Sequence, residues 1–194
     1  MNKIIVSYID TKTVEKNLDK ISNCLDKDRI EKANRYLNKN DQLLSLGAGY
    51  LISKYIGKKE LFSNKNGKLI AKGGPFFNVS HSGEFAIFAM SEKNEIGVDV
   101  QIIKENDLKP IEYVSKENRP IIDMFRIWSN KESLLKCLGS NMSIIKEVPG
   151  LPLNGLRNYL GEDFYTQSMI FEGYSISVTT KGREPFEIEL RQEF

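Results

Sequence analysis

The stretch that most constrains this chain is residues 76–101. It reads Phe-Phe-Asn-Val-Ser-His-Ser-Gly-Glu-Phe-Ala-Ile-Phe-Ala-Met, then a polar turn, then Ile-Gly-Val-Asp-Val-Gln. Three short strands in succession fit this pattern. Residues 76–80 are apolar and end in Ser80-His81-Ser82-Gly83, a turn whose glycine can take positive φ. Residues 85–90 form a continuous apolar run, and residues 92–94 turn the chain again. In 96–101 the alternation is strict: Ile96, Val98 and Val100 share one face, and Gly97, Asp99 and Gln101 the other. An acid beside a glycine on a well-packed strand is an odd arrangement for stability alone. A second stretch answers it, Trp128-Ser129-Asn130-Lys131-Glu132-Ser133, followed on the same helix by Lys136 and Gly139.

Around these two stretches the chain alternates between strand and helix patterns. Residues 3–9 read as a first strand. Val14, Leu18, Ile21 and Leu25 recur at helical spacing, so 13–25 is expected to be one amphipathic helix. A second, charged helix is expected over 26–37, with Arg29, Glu31, Lys32 and Arg35. A third has Asp41 as its N-cap, Leu44, Ala48, Leu51 and Tyr55 as its buried stripe and Gly57 as its stop. Asn66-Gly67 signals a two-residue hairpin between Leu61-Phe62 and Leu69-Ile70. Residues 104–110 lose all periodicity and suit a crossover. Pro120 suits the first turn of a helix ending at Leu138 and Gly139. Pro149-Gly150-Leu151-Pro152 breaks the chain. Residues 164–171 and 174–180 form a hairpin through Glu172-Gly173, and Phe186, Ile188 and Leu190 alternate in a last strand.

Bulk properties exclude several classes. Of 194 residues, 40% are hydrophobic and 28% charged, which describes an ordinary soluble globular protein of one domain or two small ones. The net charge of +2 is too small to argue for nucleic acid, yet it permits local basic clusters. No apolar run has the length of a membrane span, and Met1-Asn2-Lys3-Ile4 leads straight into a strand. Cys24 and Cys137 lie far apart in apolar helical settings and read as buried free thiols of a reducing cytoplasm.

The blocks resemble those of the 4′-phosphopantetheinyl transferases, in the larger, surfactin-synthetase-type branch. That family carries a strand (Ile/Val)-Gly-(Ile/Val)-Asp-(Ile/Val)-Glu and a helix Trp-(Ser/Thr)-x-Lys-Glu-(Ser/Ala)-x-x-Lys-x-x-Gly. An Asn-(Ile/Val)-Ser-His-(Ser/Thr)-Gly turn precedes both. Every fixed position of the helix and turn is present here in order, and the strand departs once, with Gln101 in place of Glu. The resemblance implies an α+β fold of two similar halves about a pseudo-two-fold axis, with mostly antiparallel sheets and helices packed on them. It divides the chain into residues 1–103 and 104–194.

The activity so implied is transfer of phosphopantetheine from coenzyme A to a serine of an apo carrier protein, releasing adenosine 3′,5′-bisphosphate. The expected setting is a cytoplasmic monomer that needs Mg²⁺ and contacts neither nucleic acid nor membrane. Mg²⁺ suits such chemistry because it binds one or two carboxylates together with substrate phosphates. By resemblance Asp99 and Glu132 are metal ligands, and Gln101, on the Asp99 face, approaches the same metal. Glu132 is also the general base, and Lys136 stabilises the leaving phosphate. On spacing alone Glu132 and Lys136 are an ordinary surface pair at i and i+4.

By the same resemblance Arg29, Lys32, Ser45, Ser80 and His81 contact the 3′-phosphate of coenzyme A, with Lys68 as a further contact. Arg29 and Lys32 stand three apart, so they share a helix face and can converge on one anion; a solvated charged face would show the same spacing. Lys131 reads as a solvated helix residue without a role, and Trp128 as core. The segment between Asp99 and Trp128 is shorter than is usual for the family; Tyr113-Val114-Ser115-Lys116-Glu117 matches the remnant of its carrier-binding part. A rival reading is a coenzyme A- or carrier-binding module with impaired catalysis, for which Gln101 is the one argument. Another is an α/β protein whose motifs match by accident.

Overall fold

A computed structural model of the chain describes residues 2–104, 120–148 and 153–194. The elements run β1 (Asn2–Asp10), α1 (Thr11–Lys16), α2 (Leu18–Asn23), α3 (Lys27–Asn34), α4 (Lys39–Ile56), β2 (Leu61–Ser63), β3 (Leu69–Ala71), β4 (Phe76–Ser82), β5 (Phe85–Ser91) and β6 (Ile96–Ile102). Then come α5 (Ile121–Leu138), a 3₁₀ turn (Met142–Ile144), β7 (Gly155–Tyr159), β8 (Glu162–Phe171), β9 (Tyr174–Lys181) and β10 (Phe186–Gln192). The expected α+β class with mostly antiparallel sheets is what forms. One four-stranded sheet has the order β10-β1-β5-β4 and the other β6-β9-β8-β7, with β2 and β3 as a separate hairpin. Only the β1–β10 pairing is parallel among those described. No helix among the described residues is long and apolar enough to cross a membrane.

The layers follow from which faces are apolar. Helices α1–α4 cover one face of the first sheet through Val14, Ile21, Leu51, Phe77 and Phe88. The other face meets the second sheet in a core that joins Val6 and Ile87 to Val98, Val100, Ile176 and Val178. Thus Ile96, Val98 and Val100 of β6 point into the inter-sheet core, as the alternation demands. Gly97, Asp99 and Gln101 face α5, which covers the far side of the second sheet. A Cβ on Gly97 would lie 2.0 Å from the Ser133 carbonyl oxygen and 2.3 Å from the Cys137 nitrogen. The helix backbone therefore lies directly on the strand, and only glycine permits it. Gly97→Ala is expected to destabilise the fold by about 3 kcal/mol or more, because backbone rather than a flexible side chain must give way. Urea unfolding checks this; a loss under about 1 kcal/mol would mean that helix and strand are not in such contact.

Small hydroxyl residues complete this close approach. Ser129 Oγ is 2.7 Å from Ser175 Oγ and 2.7 Å from Ser177 Oγ, and Ser133 Oγ is 2.7 Å from Thr179 Oγ1. All five are fully buried, and each finds partners within the interface.

The two sheets also meet edge to edge. The Asn78, Ser80 and Ser82 side chains of β4 accept the backbone N–H groups of Val98 (2.9 Å), Val100 (3.4 Å) and Ile102 (3.1 Å). Alternate polar side chains on one edge strand thus satisfy the open edge of another.

Several expectations change in detail. The helix over 13–25 is two helices, α1 and α2, broken at Asn17, whose Nδ2 donates to the Thr13 carbonyl at 2.8 Å. Asn38, not Asp41, caps α4, by accepting the Asn40 N–H, and Asp41 falls in the first turn where a carboxylate suits the helix dipole. Asn66-Gly67 sits in a five-residue loop between β2 and β3, not a two-residue turn. Asn64 Oδ1 folds this loop by accepting the N–H groups of Asn66 and Lys68. Strand β4 runs on through His81 to Ser82, and Gly83 at φ 59° makes the turn. Cys24 is exposed; only Cys137 is a buried thiol, and burial pushes its pKa up to about 12. Residues 105–110, the 113–117 segment and the break at 149–152 lie outside the described residues.

Candidate active site

Strand β6 and helix α5, held together at Gly97, bring three charged side chains to one point. The Lys136 ammonium donates to Asp99 Oδ1 at 2.5 Å and to Ser80 Oγ at 2.9 Å, and lies 3.3 Å from Glu132 Oε2. Ser80 Oγ in turn donates to Asp99 Oδ1 at 2.9 Å. Asp99 is 2% exposed, and its Oδ2 is buried with no hydrogen-bond partner. A carboxylate oxygen so placed is costly unless a cation or donor meets it.

Electrostatics follow from this crowding. Burial, and after it the negative charge of Asp99, pushes the Glu132 carboxyl up to about 8, against the pull of Lys136. Burial alone would lower the Lys136 pKa, but Asp99 and Glu132 outweigh it, and the amine is held above the ordinary lysine value. The ligand-free cluster therefore favours the ammonium form of Lys136 and the protonated form of Glu132.

A cavity of about 540 Å³ opens beside this cluster, and Lys136 is one of its walls. Arg29, Lys32, Ser45, Lys68 and His81 line it too, so the structure gathers most of the predicted coenzyme contacts around one space. Arg29 and Lys32 come from α3, in the helical register the spacing demands. The Arg29 guanidinium donates to the Ser45 carbonyl at 3.1 Å, and burial pulls its pKa down. A Cβ on Gly49 would lie 2.7 Å from Arg29 Nε, so that glycine makes room for the guanidinium between α3 and α4. His81 stands at the cavity on the face of β4 opposite Ser80. The surrounding protein, and next the Lys136 charge, hold its pKa below the usual histidine value, although solvent reaches the ring.

Other predicted residues are placed differently. The Ser80 hydroxyl is directed at Asp99 and Lys136, within the carboxylate cluster. Lys68 lines the cavity, but its amine donates to the carbonyls of Cys137 (2.7 Å) and Ile96 (3.1 Å), and burial lowers its pKa. Gln101 lies two residues beyond Asp99 on the same face, half-buried, opposite Ser175. Lys131 is not solvated: it is 3% exposed, and burial lowers its pKa. Trp128 packs against the cluster around Leu134 and Phe164, as expected of core.

The sequence gives Asn64, Asn66 and Asn78 no site role, although polar residues alternate at 78, 80 and 82. Among the described residues no group of three or more His, Cys, Asp or Glu is assembled as a metal site.

No family model matches the chain. It is similar to the 4′-phosphopantetheinyl transferase gsp of Aneurinibacillus migulanus, 28% identical over 189 residues that cover 81% of this chain and 76% of that one. It is likewise similar to the 4′-phosphopantetheinyl transferase ffp of Bacillus subtilis, 28% identical over 182 residues covering 83% and 78%. With the 4′-phosphopantetheinyl transferase HetI of a Nostoc species it shares 27% identity over 160 residues, covering 69% and 68%. The signature blocks fold into one charged cluster beside one basic cavity, and over most of its length the chain is similar to these 4′-phosphopantetheinyl transferases.

Proposed function

We propose that this protein transfers the 4′-phosphopantetheine of coenzyme A to a serine of an apo carrier protein and releases adenosine 3′,5′-bisphosphate. The observation that carries the proposal is the position of Lys136, which holds Asp99 and Glu132 on one side and lines the basic cavity on the other. An anionic substrate in that cavity meets the carboxylate cluster at this amine. Arg29, Lys32, Ser45 and His81 bind the 3′-phosphate, and Lys68 supports the cavity wall. Ser80 orients Asp99 through its hydroxyl. Binding of a phosphate beside His81 favours the imidazolium, so the ring gains a proton and a charge-assisted hydrogen bond as the coenzyme arrives.

In the transfer step the carrier serine oxygen forms a bond to the β-phosphorus, and the bond from that phosphorus to the α-phosphate bridging oxygen breaks. Ionised Glu132 accepts the serine proton; a pKa near the working pH is what a general base needs. Lys136 keeps its proton and donates to the leaving phosphate. The fit to Mg²⁺ rests on the buried, unpartnered Asp99 Oδ2, in a cluster where the Asp99 charge helps to push the Glu132 carboxyl up. Asp99 and Glu132 would hold the ion, with Gln101 able to add its carbonyl oxygen, and substrate phosphates would complete the shell. Bound there, Mg²⁺ would neutralise charge developing on the pyrophosphate.

The test is to incubate the protein with coenzyme A, Mg²⁺ and an apo carrier, then weigh the carrier intact. A gain of one phosphopantetheinyl group is expected. Coenzyme A binding without that gain would favour the impaired binding module that Gln101 suggests. Calorimetry tests the anion pocket: coenzyme A should bind tighter than its 3′-dephospho form, and Lys32→Ala and His81→Ala should each erase about tenfold or more of the gap, since charge-assisted hydrogen bonds contribute about 1.5–3 kcal/mol. If both variants keep the wild-type ratio, the 3′-phosphate binds elsewhere.

A further inference from the structure

The loop between β2 and β3 makes contacts that neither the cavity nor the charged cluster requires. Its Asn64 Nδ2 and Asn66 Nδ2 both donate to the Gly139 carbonyl, at 3.0 and 2.8 Å, and its Lys68 amine takes the Cys137 carbonyl. These carbonyls end α5, the helix that carries Glu132 and Lys136. Gly139 is left-handed at φ 62°, and a Cβ there would lie 2.5 Å from Asn64 Nδ2. A side chain at 139 would therefore collide with the loop as well as strain the backbone. Asn64 Oδ1 simultaneously accepts two N–H groups of its own loop, so one carboxamide both shapes the loop and holds the helix. Asn66, Lys68 and Gly139 also line the cavity.

We infer that Asn64 and Asn66 are positioning residues for the transfer. They pin the end of α5 to the wall along which coenzyme A binds, so that Glu132 and Lys136 stand in register with its pyrophosphate. The inference rests on the transferase reading. Neither residue touches the reacting atoms; each acts by fixing the helix. A helix end without these donors would still form, because Gly139 and Ser140 close the last turn with their own N–H groups. It would lose its fixed distance to the cavity.

The separating variant is Asn64→Asp. It preserves the oxygen that accepts the two loop N–H groups but sets an oxygen against the Gly139 carbonyl. Combined with Asn66→Ala it removes both donors while leaving Arg29, Lys32 and His81 untouched. The double variant is expected to lower kcat about tenfold or more, while its Kd for coenzyme A, measured by calorimetry, weakens by a clearly smaller factor. Amide exchange in the last turn of α5 should accelerate about tenfold in the ligand-free protein, the effect of losing two hydrogen bonds. Unchanged kcat, or a kcat loss with exchange unaltered, would overturn the positioning role. A fall in affinity with kcat preserved would make the loop a cavity wall only, and would overturn it too. A wild type that modifies no carrier would instead remove the transferase reading itself, an outcome distinct from active wild type with unaffected variants.

Discussion

Asn in place of Asp99 is expected to lower carrier modification by about 10²–10³-fold at saturating coenzyme A and Mg²⁺, with the far-ultraviolet circular dichroism unchanged. The substitution keeps the side chain's shape and the oxygen that receives Ser80 and Lys136. What it removes is the charge. Removing one partner of a buried ion pair ordinarily costs several kcal/mol by leaving the other charge uncompensated. Here the cluster has a reserve. Asp99 is one of the two main causes of the raised Glu132 carboxyl, so its neutralisation lets Glu132 ionise and take over the Lys136 ammonium already 3.3 Å away. One carboxylate and one ammonium remain, and the fold is retained. The site nevertheless loses its fixed anion, and Arg29, Lys32, Ser45 and His81, which line the cavity from α3, α4 and β4, are untouched. Coenzyme A affinity should therefore change much less than turnover, which calorimetry beside intact-mass kinetics separates. Near-normal turnover in Asp99→Asn would remove Asp99 from the chemistry.

The parts of this site that were legible in the sequence are those set by local periodicity. Two-residue alternation put Gly97, Asp99 and Gln101 on one face, and helical spacing put Glu132 over Lys136 and Arg29 beside Lys32. Gly139 was readable as a stop because its left-handed backbone is a local property. What stayed hidden depends on non-local pairing. That β10 would lie parallel to β1 has no signal in either strand, since both simply alternate. The junction of β4 with β6 fixes where Ser80 points, yet it runs through side chains to backbone and leaves no pairing pattern. The Ser-His-Ser-Gly run carries loop chemistry in its composition, whereas Ser80 and Ser82 serve a strand edge and only Gly83 makes the turn. Lys131 looked solvated for a similar reason: a lysine on a helix says nothing of what packs over it.

Glu132→Gln is expected to abolish most turnover, by about 10²–10⁴-fold as for loss of a general base, and yet to make the ligand-free protein more stable at pH 7.5. An unfolded glutamate titrates near pH ~4.3, whereas burial and Asp99 push the folded carboxyl up to about 8. Between those values the native state holds a proton that the unfolded chain has released. Stability contributed by this group is thus full below the unfolded pKa and is lost as pH rises toward the folded one. Glutamine carries no such liability. It does give up the contact to Lys136, but that amine keeps Asp99 and Ser80. The net gain at pH 7.5 should be about 1–3 kcal/mol, shrinking toward zero by pH 5, because the group is coupled to both neighbours and only part of the shift is recovered. Urea unfolding of both proteins at the two pH values measures it. A Gln variant that is less stable than wild type by the same amount at both would mean that Glu132 is only a helix partner of Lys136. A gain that grows with pH while transfer collapses would mark Glu132 as a residue placed at a cost to the fold for the sake of the reaction.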